Sequence, residues 1–363
     1  MRNPALQGIK IADFSRVLAG PYATMLLADL GAQVTKVERP GAGDETRSWG
    51  PPFDERGRAT YFQSVNRNKS SISLDLTSEE DLKSARKLIL DSDIVVENFG
   101  PGVMKRFGLD FEKLSSEKPS LIYCSITGFG ESEAAQSLPG YDMLIQAMSG
   151  LMSITGEPSE GGTKVGVALI DVIAGLHATT GILAALHERK MSGQGQEVRI
   201  NLFSSALSAM VNQSGAFAAS GVVPTAMGND HPSIVPYGVF HSADRDFIIA
   251  VGNDHQFEAL RQAIGLVTDE RFTTNLLRVK NREPLIAKLN EIFASKPAKY
   301  WIDLLAAVKI PVGPINRIDE AFALAKELGL NPIVEIDDSK SVANPIDLSE
   351  SPRSYRLPPP ALQ

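Results

Sequence analysis

The sequence predicts an α/β protein: a large Rossmann-like lobe on a doubly wound parallel sheet, followed by a smaller α+β lobe. Strand-like and helical stretches alternate over roughly the first two hundred residues, an order that calls for parallel strands joined by crossover helices. From Ser220 the texture changes to a Gly-, Pro- and Asn-rich stretch, Gly221 to Tyr237, and then to a hairpin and helices. A length of 363 residues suits two such lobes. We place the large lobe at 1–220, with 330–363 returning to it, and the small lobe with its linkers at 221–329.

Ile9 to Asp13 alternates apolar and polar residues and reads as a strand. Tyr22 to Leu30 has helical spacing, with Pro21 suited to a first turn and Gly31 to a C-cap. Gln33 to Glu38 completes the first βαβ unit. Ser71 to Leu76 is the next strand, and Thr77 with Glu80 forms a capping box for a helix running to about Asp91. Further strands are Asp93 to Glu97, Leu121 to Ile126 and Gln196 to Leu202. Helices are expected at Tyr141 to Leu151 and Ile170 to Arg189. In the small lobe, Phe240 to Val251 reads as a hairpin around Ala243-Asp244-Arg245, with helices from Asp254 to Val308. Pro311 to Gly329 is transitional, and the tail from Asn331 carries isolated strand-like pieces.

Hydrophobic residues at 43% and charged residues at 22% are a globular balance. A net charge of −7 argues against a general nucleic-acid binder, which needs a basic surface for phosphates. The single cysteine, Cys124, lies in an apolar strand-like run and reads as a small buried residue. With no disulfide pair and no export signal, a cytoplasmic location is the simplest expectation. The closest candidate for a membrane span, Ala174 to Leu186, is short of the ~18 apolar residues required and is interrupted by His177, Thr179 and Thr180. No membrane partner is expected.

The first strand-to-helix loop, Phe14 to Pro21, lacks the G-x-G-x-x-G that lets a backbone approach a pyrophosphate, which opposes an NAD-dependent oxidoreductase. Arg39 follows the second strand, at the carboxyl edge where open α/β sheets collect ligands. Its guanidinium suits phosphate oxygens; the plainer alternative pairs it with Glu38. Asn98, Phe99 and Arg106 occupy another strand-end loop and the helix after it. Asp171 stands alone in the largely apolar Val165 to Gly175 stretch. A buried lone carboxylate is costly unless it is paired or used, and the plainer alternative is a first-turn helix acid. His177 and His187 lack metal-ligand spacing, so no metal site is expected.

Taken in order, ADFSRVLAGPYATMLLADLGAQVTKVERPGAGDETR, VNRNKSSISLDL, DIVVENFGPGVMKRFGL, PGYDMLIQAMSGLMSITGEP, KVGVALIDVIAGLHATTGILAALHERKMSGQGQEV and GNDHPSIVPYGVF resemble the class III, carnitine-dehydratase-like CoA-transferases. The resemblance implies that Asp171 is a carboxylate nucleophile. It implies that Leu18, Ala19, Arg39, Leu74, Thr77, Asn98, Phe99 and Arg106 line a CoA site. Tyr141 and Asp142 would lie beside the reacting acyl group, and Gly228 and Asn229 in a loop that covers the thioester. It further implies an interlocked homodimer, and a helix beyond Pro358-Pro359-Pro360, where this sequence runs only to Gln363.

The implied reaction moves CoA from an acyl-CoA to a free carboxylic acid, through an aspartyl anhydride and an aspartyl-CoA thioester. No tightly bound cofactor is needed, since coenzyme A arrives as substrate. An Asp with the ordinary pKa of about 3.9 is ionised at neutral pH and needs no base. Within the same family, 2-methylacyl-CoA racemisation needs two bases about one carbon, usually a His with the Asp. Tyr141 stands where that His would be. A silent protein that only binds CoA is a third reading, which turnover decides. GDETRSWGPPF, SVNRNK and GNDHPSIVPY resemble the subgroup that moves CoA among dicarboxylic acids such as succinate. There Arg47 would grip a second carboxylate, unless it is a surface arginine paired with Asp44 or Glu45.

Overall fold

The computed structural model describes residues 3–363. They form two compact units. The first takes in the chain up to Met152, Lys164–Val223 and Asn331–Gln363; the second is Ser153–Thr163 with Pro224–Leu330.

The first unit is built on six strands: β1 (Lys10–Asp13), β2 (Gln33–Glu38), β3 (Lys69–Ser73), β4 (Ile94–Glu97), β5 (Ile122–Thr127) and β6 (Glu197–Asn201). Their order is β3-β2-β1-β4-β5-β6 and every pairing is parallel. This is the doubly wound order the alternation predicted, with its reversal between β1 and β4. Strand period places neighbouring residues on opposite faces. Ile11, Ile94 and Ile122 enter one core, whereas Ala12, Val95 and Tyr123 enter the other. Both faces are therefore covered, as a parallel sheet requires. Cys124 is fully buried, as its apolar setting suggested, and burial pushes its thiol up.

The first helix spans Ala19–Asp29, three residues earlier than its spacing indicated, with Pro21 still inside the first turn. The helix after β3 spans Glu79–Leu90 and is capped by Ser78, which accepts the Asp81 N–H. The Thr77 capping box is therefore corrected: Thr77 gives its N–H and hydroxyl to Asp75, at 2.9 and 2.7 Å. The 24-residue helix Leu169–Ser192 ends at Gly193, which adopts φ 74° as a C-cap. It is long and apolar enough to cross a membrane, with mean hydropathy 1.7. In the first unit its Ile170, Ala174, Ala178 and Ile182 stripe joins the core. Gly175 allows this approach, because a Cβ there would sit 2.7 Å from the Ala19 carbonyl oxygen.

The second unit carries a three-stranded antiparallel sheet of β7 (Tyr237–His241), β8 (Asp246–Ala250) and β9 (Val312–Pro314). The hairpin turns at Ala243-Asp244-Arg245 as expected. Phe240, Phe247, Phe293 and Trp301 pack its core, and the Trp301 indole donates to the Phe293 carbonyl at 2.8 Å. The stretch from Pro311 to Gly329 is more ordered than its composition suggested: it supplies β9 and the helix Ile318–Glu327. After it the chain belongs to the first unit, forming the hairpin β10 (Ile333–Ile336) and β11 (Ser339–Val342).

Candidate functional site

The loop after β1 contains no G-x-G-x-x-G, and charge takes over the work of holding it. Asp13 is fully buried. It accepts the Ser15 N–H at 3.0 Å and the Thr24 hydroxyl at 2.6 Å, and pairs with Lys69 at 3.1 Å. Burial pushes its carboxyl up, but Lys69, Lys36 and the hydroxyl donors outweigh it and hold the group below the usual range. Lys36 and Asp44, both without exposed side-chain surface, pair at 2.9 Å. Val17 adopts φ 67°, a region a β-branched residue seldom enters. Its N–H points at the Asp44 carboxylate, 3.2 Å from the nearer oxygen.

Asn98, at the end of β4, closes the reversal point. Its amide accepts the Arg16 N–H at 2.8 Å and donates to the Arg16 carbonyl at 2.7 Å. The Arg16 guanidinium pairs with Glu45 and lies 5.0 Å from the centroid of Phe99.

A cavity of about 610 Å³ opens beside this loop. Its wall gathers Arg39, Leu74, Thr77, Phe99 and Arg106, five residues drawn from three separate strand ends. Arg39 is exposed and, among the described residues, has no ion pair. The alternative pairing with Glu38 does not form, because Glu38 is taken by Arg47. Leu18, Ala19 and Asn98 do not line the cavity. Leu18 and Ala19 are buried where the helix Ala19–Asp29 begins, a place where backbone N–H groups lack intrahelical acceptors.

Arg47 is a correction. Its Nε and Nη2 donate to the two oxygens of Glu38 at 2.8 and 2.6 Å. Its plane covers Phe62 at 3.7 Å, and it also donates to the Pro360 carbonyl. A guanidinium committed in this way is an internal brace, paired with neither Asp44 nor Glu45.

Asp171 is the third residue of the helix Leu169–Ser192. Burial first, and the negative charge of Asp142 second, push its carboxyl up to about 7. Asp171 thus departs from the expectation of an ordinary Asp, with its carboxyl held well above the usual carboxylate range. Asp142 heads the helix Asp142–Met148. Its Oδ1 accepts the backbone N–H groups of Ile170 and Asp171 at 2.8 and 3.2 Å. Tyr141 precedes it, with 69% of its surface exposed, and so is open to a ligand. Asp171 does not line the cavity, so the acidic pair and the cavity are two places on one unit.

Two residues of this cluster had no signal in the sequence. Tyr61, on the short helix Thr60–Ser64, is pushed up to about 12 by burial and by the charges of Asp171, Asp142 and Asp44. Its phenol therefore stays protonated at neutral pH. Trp49 meets its ring edge-on at 5.3 Å. The second is Gln146, fully buried beside Asp142. Gly228 and Asn229 are in the second unit. Gly228 adopts φ 59° and its N–H donates to the Gly156 carbonyl at 3.0 Å; a Cβ on it would meet the Glu157 carboxylate at 2.6 Å. Asn229 is exposed.

CoA-transferase family III matches residues 6–363. The succinate–glutarate CoA-transferase of Agrobacterium fabrum is 41% identical, over 99% of this chain and 94% of that protein. The acetyl-CoA:oxalate CoA-transferase of Acetobacter aceti is 37% identical, over 94% of this chain and 88% of that one. Among solved structures, a CaiB/BaiF family protein from Brucella suis superposes with a TM-score of 0.89 at 40% identity, covering 99% of this chain and 97% of its own.

Proposed function

The chain belongs to CoA-transferase family III, and from that premise we propose that it exchanges CoA between dicarboxylic acids with Asp171 as the covalent carrier. It is a CoA-transferase, acting on acyl-CoA thioesters and carboxylates. One observation carries the finer reading: a single acid at the head of a long core helix, partly buried, next to a second carboxylate that holds its backbone.

An Asp171 oxygen attacks the thioester carbonyl, the C–S bond breaks and CoA thiolate leaves, giving a mixed anhydride. The thiolate then attacks the aspartyl carbonyl. This releases the donor acid as its carboxylate and forms an aspartyl-CoA thioester. The acceptor carboxylate attacks that thioester and displaces the thiolate, which takes the acceptor's acyl carbon and regenerates Asp171. One thioester replaces another, so the exchange needs no outside energy source. The raised carboxyl makes the anion a stronger nucleophile than an ordinary aspartate. The Tyr61 phenol donates toward oxyanions that form beside Asp171. The nucleotide end of CoA takes the cavity of Arg39, Phe99 and Arg106, with the two cations facing phosphate.

Succinyl-CoA is the favoured donor, by likeness to relatives named for succinate and glutarate. Arg47 is not the grip for a second carboxylate. The enzyme works as an interlocked homodimer in the cytoplasm without a tightly bound cofactor. The test is to incubate the protein with succinyl-CoA, quench with hydroxylamine and map peptides by mass spectrometry. A hydroxamate at Asp171, and loss of turnover in Asp171→Ala, are expected. Turnover by Asp171→Ala at the wild-type rate would sink the mechanism.

A further inference from the structure

The nucleophile's helix has no cap of its own. Ala168 stands in the N-cap position and offers no side-chain acceptor. Asp142, from another helix, supplies the cap through Oδ1. What holds Asp142 is one helical turn further along. Gln146 is fully buried. Its Nε2 donates to Asp142 Oδ2 at 2.6 Å and to the Val167 carbonyl at 3.4 Å, and its Oε1 accepts the Val165 N–H at 2.9 Å. Both ends of the carboxamide are used. The amide's orientation is set by its neighbours, since only its oxygen can accept from Val165 and only its nitrogen can donate to a carboxylate. The held segment begins where the chain re-enters the first unit at Lys164, and it ends at the nucleophile.

We propose that Gln146 is a positioning residue for the transfer reaction, fixing Asp142 and the Val165–Val167 approach as one frame that holds Asp171. This rests on the reading of Asp171 as the nucleophile. Without the Gln146 donor, Asp142 keeps Oδ1 on the helix N–H groups but loses the restraint on Oδ2. Its carboxylate is then free to turn away. That change loosens the backbone of Asp171 and weakens the like charge beside it. The charged and titratable groups that act on Asp171 are Asp142 and, from the Thr60–Ser64 helix, the Tyr61 phenol. The CoA cavity shares no residue with the frame, so donor binding is expected to stay.

The experiment is a double-mutant cycle of Gln146→Leu and Asp142→Asn in the full-length enzyme, reading kcat, KM and the pH dependence of kcat/KM. Gln146→Leu should lower kcat by between about tenfold and a hundredfold, the cost of a misplaced reacting group. KM for acyl-CoA should hold, and the acid limb should move to lower pH than in the wild type. In the Asp142→Asn background the same change should have a clearly smaller effect, because part of its action runs through the Asp142 carboxylate. A wild-type kcat and midpoint in Gln146→Leu would overturn the proposal. So would a Gln146→Leu effect of equal size in both backgrounds, which would mean that Gln146 acts independently of Asp142. If Gln146→Leu fails to fold, Gln146→Met stays close in size, removes the donor and should show the same loss of kcat. Hydroxamate mapping of the wild type separates the two ideas: no label at Asp171 refutes the nucleophile, whereas a labelled Asp171 with unaffected Gln146 variants refutes only the positioning role.

Discussion

Asp171 should make the folded protein less stable than it would be with a neutral residue in its place. Its carboxyl sits at about 7 in the folded chain, first because of burial and second because of Asp142, whereas an unfolded Asp titrates near 3.9. The folded state therefore binds the proton more tightly. Below about pH 4 both states are protonated and nothing is lost. Between about 4 and 7 the folded state loses up to ~1.4 kcal/mol per pH unit, and above 7 the loss is complete. Three units give ~4 kcal/mol, which water at the partly exposed side chain reduces to roughly 2–4. Asp171→Asn removes the charge while keeping the shape. Urea unfolding of both proteins across this pH range should show them equal in acid, diverging in favour of Asp171→Asn toward neutrality, and parallel above it. A difference that does not change with pH, or a wild type more stable than Asp171→Asn at alkaline pH, would refute the burial argument.

Arg39→Ala should weaken binding of free CoA by roughly 1–3 kcal/mol, the loss of a charge-assisted contact; calorimetry showing an unchanged Kd would remove Arg39 from the site. Arg47→Ala should lower stability by ~3 kcal/mol by stranding the buried Glu38, while leaving the choice of donor acid intact. A stable variant that no longer prefers dicarboxylates in an acyl-CoA panel would restore Arg47 as a substrate ligand. The proposed interlock predicts a dimer that persists in sedimentation at high dilution, because threaded chains would part only by unfolding; a monomer–dimer equilibrium would contradict it.

How far the sequence could be read depended on whether each signal was local. β2 was legible to the residue because Gln33 to Glu38 is bounded by Gly31 and Pro40. The cap before Glu79 was not, because Thr77 and Ser78 each precede an acid by three residues, and only Asp75 decides between them by taking Thr77. β3 was placed too late because apolar alternation continues through Leu74 and Leu76. The strand instead starts at Lys69, whose ammonium is drawn inside by Asp13. Asp171 stood out as a lone acid among apolar residues. Its raised carboxyl did not, since burial and then Asp142, from another helix, set it, and both come only with the fold. Tyr61 and Gln146 are ordinary residue types far along the chain from Asp171, and only the fold makes them neighbours. The partner of Arg47 was missed for the same reason: Glu38 is nine residues away and reached across a turn.

The last stretch of the chain lies against some of its earliest residues. Arg356 donates to the carbonyls of Ala28 and Ala32, and the Asn68 side chain accepts the N–H groups of Arg356 and Leu357. The Asn68 N–H donates to Leu357, and Arg47 to Pro360. A ribosome makes these partners about three hundred residues apart. Throughout synthesis, therefore, the β2–β3 side of the sheet waits with those polar groups facing only water. The first lobe cannot finish folding in the order in which it is made, and a stalled nascent chain lacking 353–363 should remain open to protease around Asn68 however complete its six strands are.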